Sequence, residues 1–272
     1  MPLFRVEDWD DAYANGANIP GGDRWPDAWV QPAADFRDRL ADKILDLRYG
    51  ENSREVMDLF RPAGTSRGLM VFVHGGFWLR LDKSYWSHLA GGAVARGWTV
   101  AMPSYPLCPE VRVRDIARSI ARAVEAAASE VDGPIRLSGH SAGGHLVTRL
   151  VSEGTALEAS VLGRVERIVS ISGVHDLRPL LRTAMNETIG LDAEEAAAES
   201  PALLKPVRDI SVICWVGANE RSEFVRQNSL LANVWRGLGL ATEAVEEPDR
   251  HHFDVIDGLA EPDSPIASTL LD

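Results

Sequence analysis

A rhythm restricts the fold more than any single residue does. Short apolar runs alternate with segments of helical spacing along most of the 272 residues. Runs at 68–73, 98–102, 135–138, 167–172 and 211–216 are too short for helices and are bounded by turn residues, so they read as buried strands. Between them, residues 85–96, 111–131, 143–152 and 224–238 repeat apolar side chains at helical intervals. A run at 242–247 closes the series, and the alternating stretch 54–60, stopped by Pro62, reads as a half-buried strand. Short strands joined by helices are βα crossovers, which build a mostly parallel sheet covered by helices on both faces. The expectation is an α/β fold in a single domain over 1–272, since no repeat, low-complexity tract or linker interrupts it. Residues 174–209 break the rhythm with a polar helical excursion around 192–199, expected as a small helical insertion above the sheet. Residues 1–40, rich in Trp, Pro, Gly and Asp, are expected to form an irregular arm.

Charge narrows the partners. Lysine and arginine number 28 against 40 acidic residues, a formal net charge of -12. Such a surface repels phosphate backbones and anionic lipid, so a small-molecule substrate is expected, with no nucleic-acid or membrane partner. No run approaches the length of a membrane span, and the acidic start lacks the basic and apolar segments of a secretory signal. Two cysteines, Cys108 and Cys214, cannot form a disulfide framework, and Cys214 lies in a buried run. A cytoplasmic location is expected, and a homodimer is left open.

Gly139-His140-Ser141-Ala142-Gly143 fits G-x-S-x-G directly after a strand and directly before a helix. Chemistry needs that placement because a tight turn lifts the serine hydroxyl above the carboxyl edge of the sheet, where the following helix N-terminus favours negative charge. After the run 70–73 comes His74-Gly75-Gly76-Phe77-Trp78, whose amides are unhindered by bulky neighbours. Gly75, Gly76 and Phe77, with Ala142, are the candidate oxyanion hole. His74 is expected to fix that loop rather than to act as acid or base.

A serine hydroxyl needs a base and an orienting carboxylate, in the chain order Ser, Asp/Glu, His. Of seven histidines, only His251 and His252 follow the last strand. His252 is the preferred base and His251 a loop residue. The acid belongs after the strand ending at Gly217, which favours Glu220. Glu223 competes, although the first turn of a helix usually turns an acid to the dipole and to solvent. Asp249 and Asp254 read as solvated loop acids. The histidine spacings match no zinc pattern, so neither metal nor cofactor is expected.

With these residues in view, the chain resembles the α/β-hydrolase fold, and more narrowly the serine-dependent kynurenine formamidase (arylformamidase) branch of esterase/lipase-like enzymes. The likeness rests on Tyr49-Gly50, Phe60-Arg61-Pro62, the stretches 74–78 and 139–146, Ser172-Gly173-Val174-His175-Asp176-Leu177, Ser200-Pro201, Glu223-Phe224 with Arg226-Gln227, and His252-Phe253. It implies a triad of Ser141, Glu220 and His252, with Glu223 matching a non-catalytic position. Phe77 stands where the family usually has Tyr, and Glu220 where it has Asp. The implied reaction cleaves an N-formyl aryl amide such as N-formylkynurenine, with Trp78, Trp25 and Trp29 expected to stack on the leaving ring. A carboxylesterase for short acyl esters and a catalytically silent binding protein on the same scaffold are the rivals.

Overall fold

The structure, a computed structural model, describes residues 5–272; residues 1–4, the start of the expected arm, lie outside the described residues. Its centre is an eight-stranded sheet in the order β1-β2-β4-β3-β5-β6-β7-β8. The strands are β1 Lys43–Arg48, β2 Val56–Phe60, β3 Leu69–Val73, β4 Thr99–Pro103, β5 Ile135–His140, β6 Val165–Ile171, β7 Ser211–Gly217 and β8 Thr242–Glu247. β1 and β2 pair antiparallel with their neighbours, and from β4 to β8 every pairing is parallel.

Alternation along β3 explains why its sequence is apolar throughout. Leu69, Val71 and Val73 enter one core with the helices Val113–Glu130, Ala142–Arg149 and Ser222–Gly237, while Met70 and Phe72 enter the other with Trp86, Leu89 and the helix Pro265–Leu271. Both faces are therefore buried. The C-termini of β3 to β8 reach the same edge, so the loops after β3, β5, β7 and β8 meet there.

The insertion holds a 3-10 turn at Arg178–Arg182 and helices at Asn186–Ile189 and Ala193–Ala198, the latter capped where Asp192 accepts from the Glu195 amide at 2.8 Å. Residues 5–40 depart from the expected irregular arm. They form short helices at Trp9–Tyr13 and Asn15–Asn18, a 3-10 turn, and a 15-residue helix, Trp25–Arg39. The residues that read as breakers are in tolerated places. Pro26 sits in the first turn, where no intrahelical donor is needed, and Pro32 is carried because Trp29 and Ala33 bury the helix against the body. The expected helix over 85–96 shrinks to Gly91–Ala95 behind two 3-10 turns. A Cβ on Gly92 would lie 2.5 Å from the Leu259 carbonyl, so this segment is shaped by close backbone contact rather than by helical spacing. Among the described residues no helix is long and apolar enough to cross a membrane.

Candidate active site

Ser141 sits between β5 and the helix Ala142–Arg149 with φ 56° and ψ -116°, a strained conformation for a residue with a side chain. Its amide donates to the Ile171 carbonyl at 2.8 Å, which ties the turn to β6. Hydrogen alone fits at the flanking positions. A Cβ on Gly139 would stand 2.2 Å from the Gly143 carbonyl oxygen, and one on Gly143 would stand 1.9 Å from that of Val73.

The loops after β7 and β8 bring Glu220 and His252 together. His252 Nδ1 donates to Glu220 Oε2 at 2.6 Å, and both side chains are almost fully buried. The other carboxylate oxygen accepts from Ser172 Oγ at 2.5 Å and from the Gly217 amide at 2.9 Å. With its proton on Nδ1, His252 keeps Nε2 as a free acceptor. Ser141 and His252 line one cavity, and at rest Ser141 Oγ makes no hydrogen bond to the imidazole. Such contacts commonly close only around substrate.

His252 is wedged on both sides. Phe224 lies 4.5 Å from its ring and His140 4.6 Å, centroid to centroid. His140 Nε2 donates to the His252 carbonyl at 2.8 Å, and burial, reinforced by repulsion from His252, holds its pKa well below the ordinary histidine value. His140 thus stays neutral beside the His252 ring. Sequence reasoning gives neither His140 nor Ser172 a role, although both stand in quoted motifs and each adjoins a strand end at the converging edge.

His251 faces elsewhere. Its amide donates to Asp254 Oδ1 at 2.7 Å and its ring meets the edge of Trp25 at 5.2 Å. Asp249 is exposed, whereas Asp254 is engaged by His251 rather than solvated freely. Glu223 also differs from expectation: it is buried rather than turned to solvent. It accepts from Tyr13 Oη at 2.9 Å and from Arg226 Nε at 2.8 Å, and so anchors residues near the start of the chain instead of His252.

After β3 the backbone has positive φ at Gly76, Phe77 and Trp78, 114°, 53° and 60°. The loop packs on the serine turn so closely that a Cβ on Gly75 would be 3.0 Å from that of Ser141. Among the described residues the Gly76 and Phe77 amides find no acceptor, and Ala142, first in its helix, has no intrahelical one. His74 is a strut: its ring stacks between Tyr105 at 4.3 Å and Trp86 at 5.5 Å, and burial pulls its pKa down to about 4.

Above these groups lies a cavity of about 830 Å³. Gly75, Gly76, Phe77, Ser141 and His252 form its floor, Tyr13, Asn15 and Trp29 its roof, and Met185 of the insertion one side. The three tryptophans expected there separate. Trp29 is in the wall. Trp25 stands behind it, packed on His251 and Phe253. Trp78 is 0% exposed, turned inward by its left-handed backbone to meet His145 edge-on at 5.2 Å, and takes no part in the wall. Among the described residues no group of three or more His, Cys, Asp or Glu is placed to hold a metal ion.

Comparison with known proteins agrees with this architecture. Residues 70–263 match the model of the alpha/beta hydrolase family. The kynurenine formamidase of Salmo salar is 30% identical over 85% of this chain and 82% of its own length, and that of Drosophila melanogaster 29% over 82% and 79%. A crystal structure from Silicibacter sp. TM1040, provisionally described as a thioesterase, is 50% identical with a TM-score of 0.93, covering 97% of this chain and 99% of that one. The chain belongs to the alpha/beta hydrolase family, as a kynurenine formamidase-like enzyme.

Proposed function

We propose that the protein hydrolyses N-formyl aryl amides, N-formylkynurenine among them, through a formyl-enzyme intermediate. Ser141 Oγ attacks the formyl carbon as its proton passes to His252 Nε2, and Glu220 orients the imidazole and stabilises its charge. The amides of Gly76, Phe77 and Ala142 receive the oxyanion, each worth about 3 kcal/mol of barrier. As the C–N bond breaks, His252 returns the proton to the leaving nitrogen. A water, deprotonated by His252, then attacks the formyl ester, releasing formate and restoring Ser141.

The observation that carries this reading is the 2.6 Å His252–Glu220 bond beside the strained Ser141 turn, beneath a cavity of about 830 Å³. A formyl group would fill a small part of that space, which leaves the rest for an aromatic leaving group. The formamidase relatives favour the formamide bond. The Silicibacter sp. TM1040 structure favours a second reading, thioester hydrolysis, which would use the same three residues. Rate constants kcat/KM for N-formylkynurenine, a nitrophenyl acetate and an acyl thioester decide between them. A formamidase prefers the first by orders of magnitude. Preference for either ester, or failure of Ser141 to take a fluorophosphonate label, overturns the proposal.

A further inference from the structure

The roof of the cavity carries polarity that the protein itself leaves unused. Asn15 is 4% exposed and belongs to the wall, yet neither its amide oxygen nor its amide nitrogen has a hydrogen-bond partner. The indole nitrogens of the wall residues Trp29 and Trp86 are likewise buried and unpartnered. Buried donors and acceptors are seldom left so, because their lost hydration is uncompensated until some group supplies the missing bonds. At the exposed edge of the same cavity stand Arg80, Asp10 and Asp23, none of them in an ion pair among the described residues. Asp10 uses one oxygen to accept from the Ala184 amide at 2.6 Å. Next to it in sequence, Asp11 is paired with Arg221 and does not line the cavity.

Charges of both signs at one opening discriminate among ligands. A plain carboxylic acid meets two like charges, a plain amine meets the guanidinium, and an uncharged ester satisfies none of the three. A zwitterion satisfies all of them. We infer that residues 10–23, with Arg80, form a subsite for a zwitterionic amino-acid tail on the leaving group of the substrate. Arg80 takes the tail carboxylate, Asp10 and Asp23 the ammonium, and Asn15 a neutral oxygen nearer the ring. This assignment rests on the aryl-formamide reading for the scissile end and adds what selects the rest of the molecule.

Two experiments separate the inference from that reading. The first compares kcat/KM for N-formylkynurenine, which has the tail, with that for formanilide, which lacks it. Hydrolysis of formanilide by the wild-type enzyme tests the functional reading alone. The ratio of the two constants tests the subsite: Asn15→Ala and Arg80→Ala each should lower it by about tenfold or more, chiefly through KM, as loss of uniform binding requires. An unchanged ratio, whether both substrates suffer equally or neither does, overturns the inference and assigns the Asn15 amide to ordered water. The second needs no chemistry. Kynurenine should bind the wild-type enzyme more tightly than aniline does, by about tenfold or more in Kd, and Arg80→Ala should erase the difference. Equal affinities in the wild type overturn the inference even if formamides are hydrolysed. Thermal unfolding of Asn15→Ala provides the structural control. Since the amide has no protein partner, Tm should hold or rise, and a marked fall would show a structural role and overturn the assignment.

Discussion

The floor and the roof of the cavity are built by different means. Beneath the ligand space, the candidate residues stand at strand ends or on the loops that follow them, and main-chain bonds pin those ends: Ser141 to Ile171 at 2.8 Å, Ser172 to Trp215 at 2.7 Å, Ala218 to Glu247 at 2.8 Å. Above it, the segment 9–39 is fastened by side chains, Tyr13 to Glu223, Asp11 to Arg221, Arg182 over the Trp9 ring at 5.3 Å and Trp29 on Trp86 at 5.2 Å. Main-chain anchoring fixes geometry regardless of most substitutions. Side-chain fastening lets the roof change while the floor keeps its geometry. The contrast separates where the proposed bond-breaking is placed from where the proposed selectivity is placed.

The largest effects should come from the floor. Ser141→Ala is expected to abolish turnover, a loss of about 10⁶, with circular dichroism and Tm unchanged because the turn keeps its backbone. His252→Ala should match it, whereas His251→Ala, which removes a contact with Trp25, should be far milder in the same steady-state assay. Equal losses at both positions would erase the distinction drawn between them. Glu220→Gln should lower kcat by about 10⁴, read from steady-state rates. Acid should also act on the body rather than the roof. His74 and His145 have pKa values pulled to about 4, and His175 to about 3, by burial, while residues 1–40 contain no histidine. Below pH 6.5 the unfolded chain takes up protons that the folded chain refuses, so stability falls as pH drops toward 4. The slope is about 1.4 kcal/mol per pH unit for each such histidine, measurable by urea unfolding at pH 7 and pH 5. The smallest effect belongs to the roof: Glu223→Gln or Tyr13→Phe loosens its fastening and should raise KM by less than about tenfold with kcat nearly constant, equivalent to under about 1.4 kcal/mol. A large fall in kcat for Glu223→Gln would move the acid from Glu220 and dissolve the floor–roof distinction.

What could be read in advance follows the same division. A continuous apolar run places β7 within a residue of its observed limits, because a strand buried on both faces has an unmistakable composition. β1 escapes notice because a bulge at Asp46, with φ 56°, breaks its alternation, and the Asp46 amide turns to Asp58 at 3.0 Å. The helix Trp25–Arg39 escapes because two prolines mask a stretch whose stability comes from packing. Trp78 misleads for a related reason: its neighbours in sequence line the cavity, but φ 60° sends its ring into the core. Glu223 misleads because solvent is the usual surrounding of a first-turn acid, and only a tyrosine far away in sequence shows that it is enclosed.

That last contact has a consequence for how the molecule comes into being. Tyr13 and Glu223 are 210 residues apart in the chain. During synthesis the segment destined to cover the cavity leaves the ribosome early and waits for its anchor until β7 and the helix after it exist. Closing so long a loop before neighbouring strands have paired is entropically unfavourable, so docking follows sheet assembly rather than nucleating it. The part of the roof around Tyr13 therefore closes late, and a completed cavity is acquired only after the sheet has assembled.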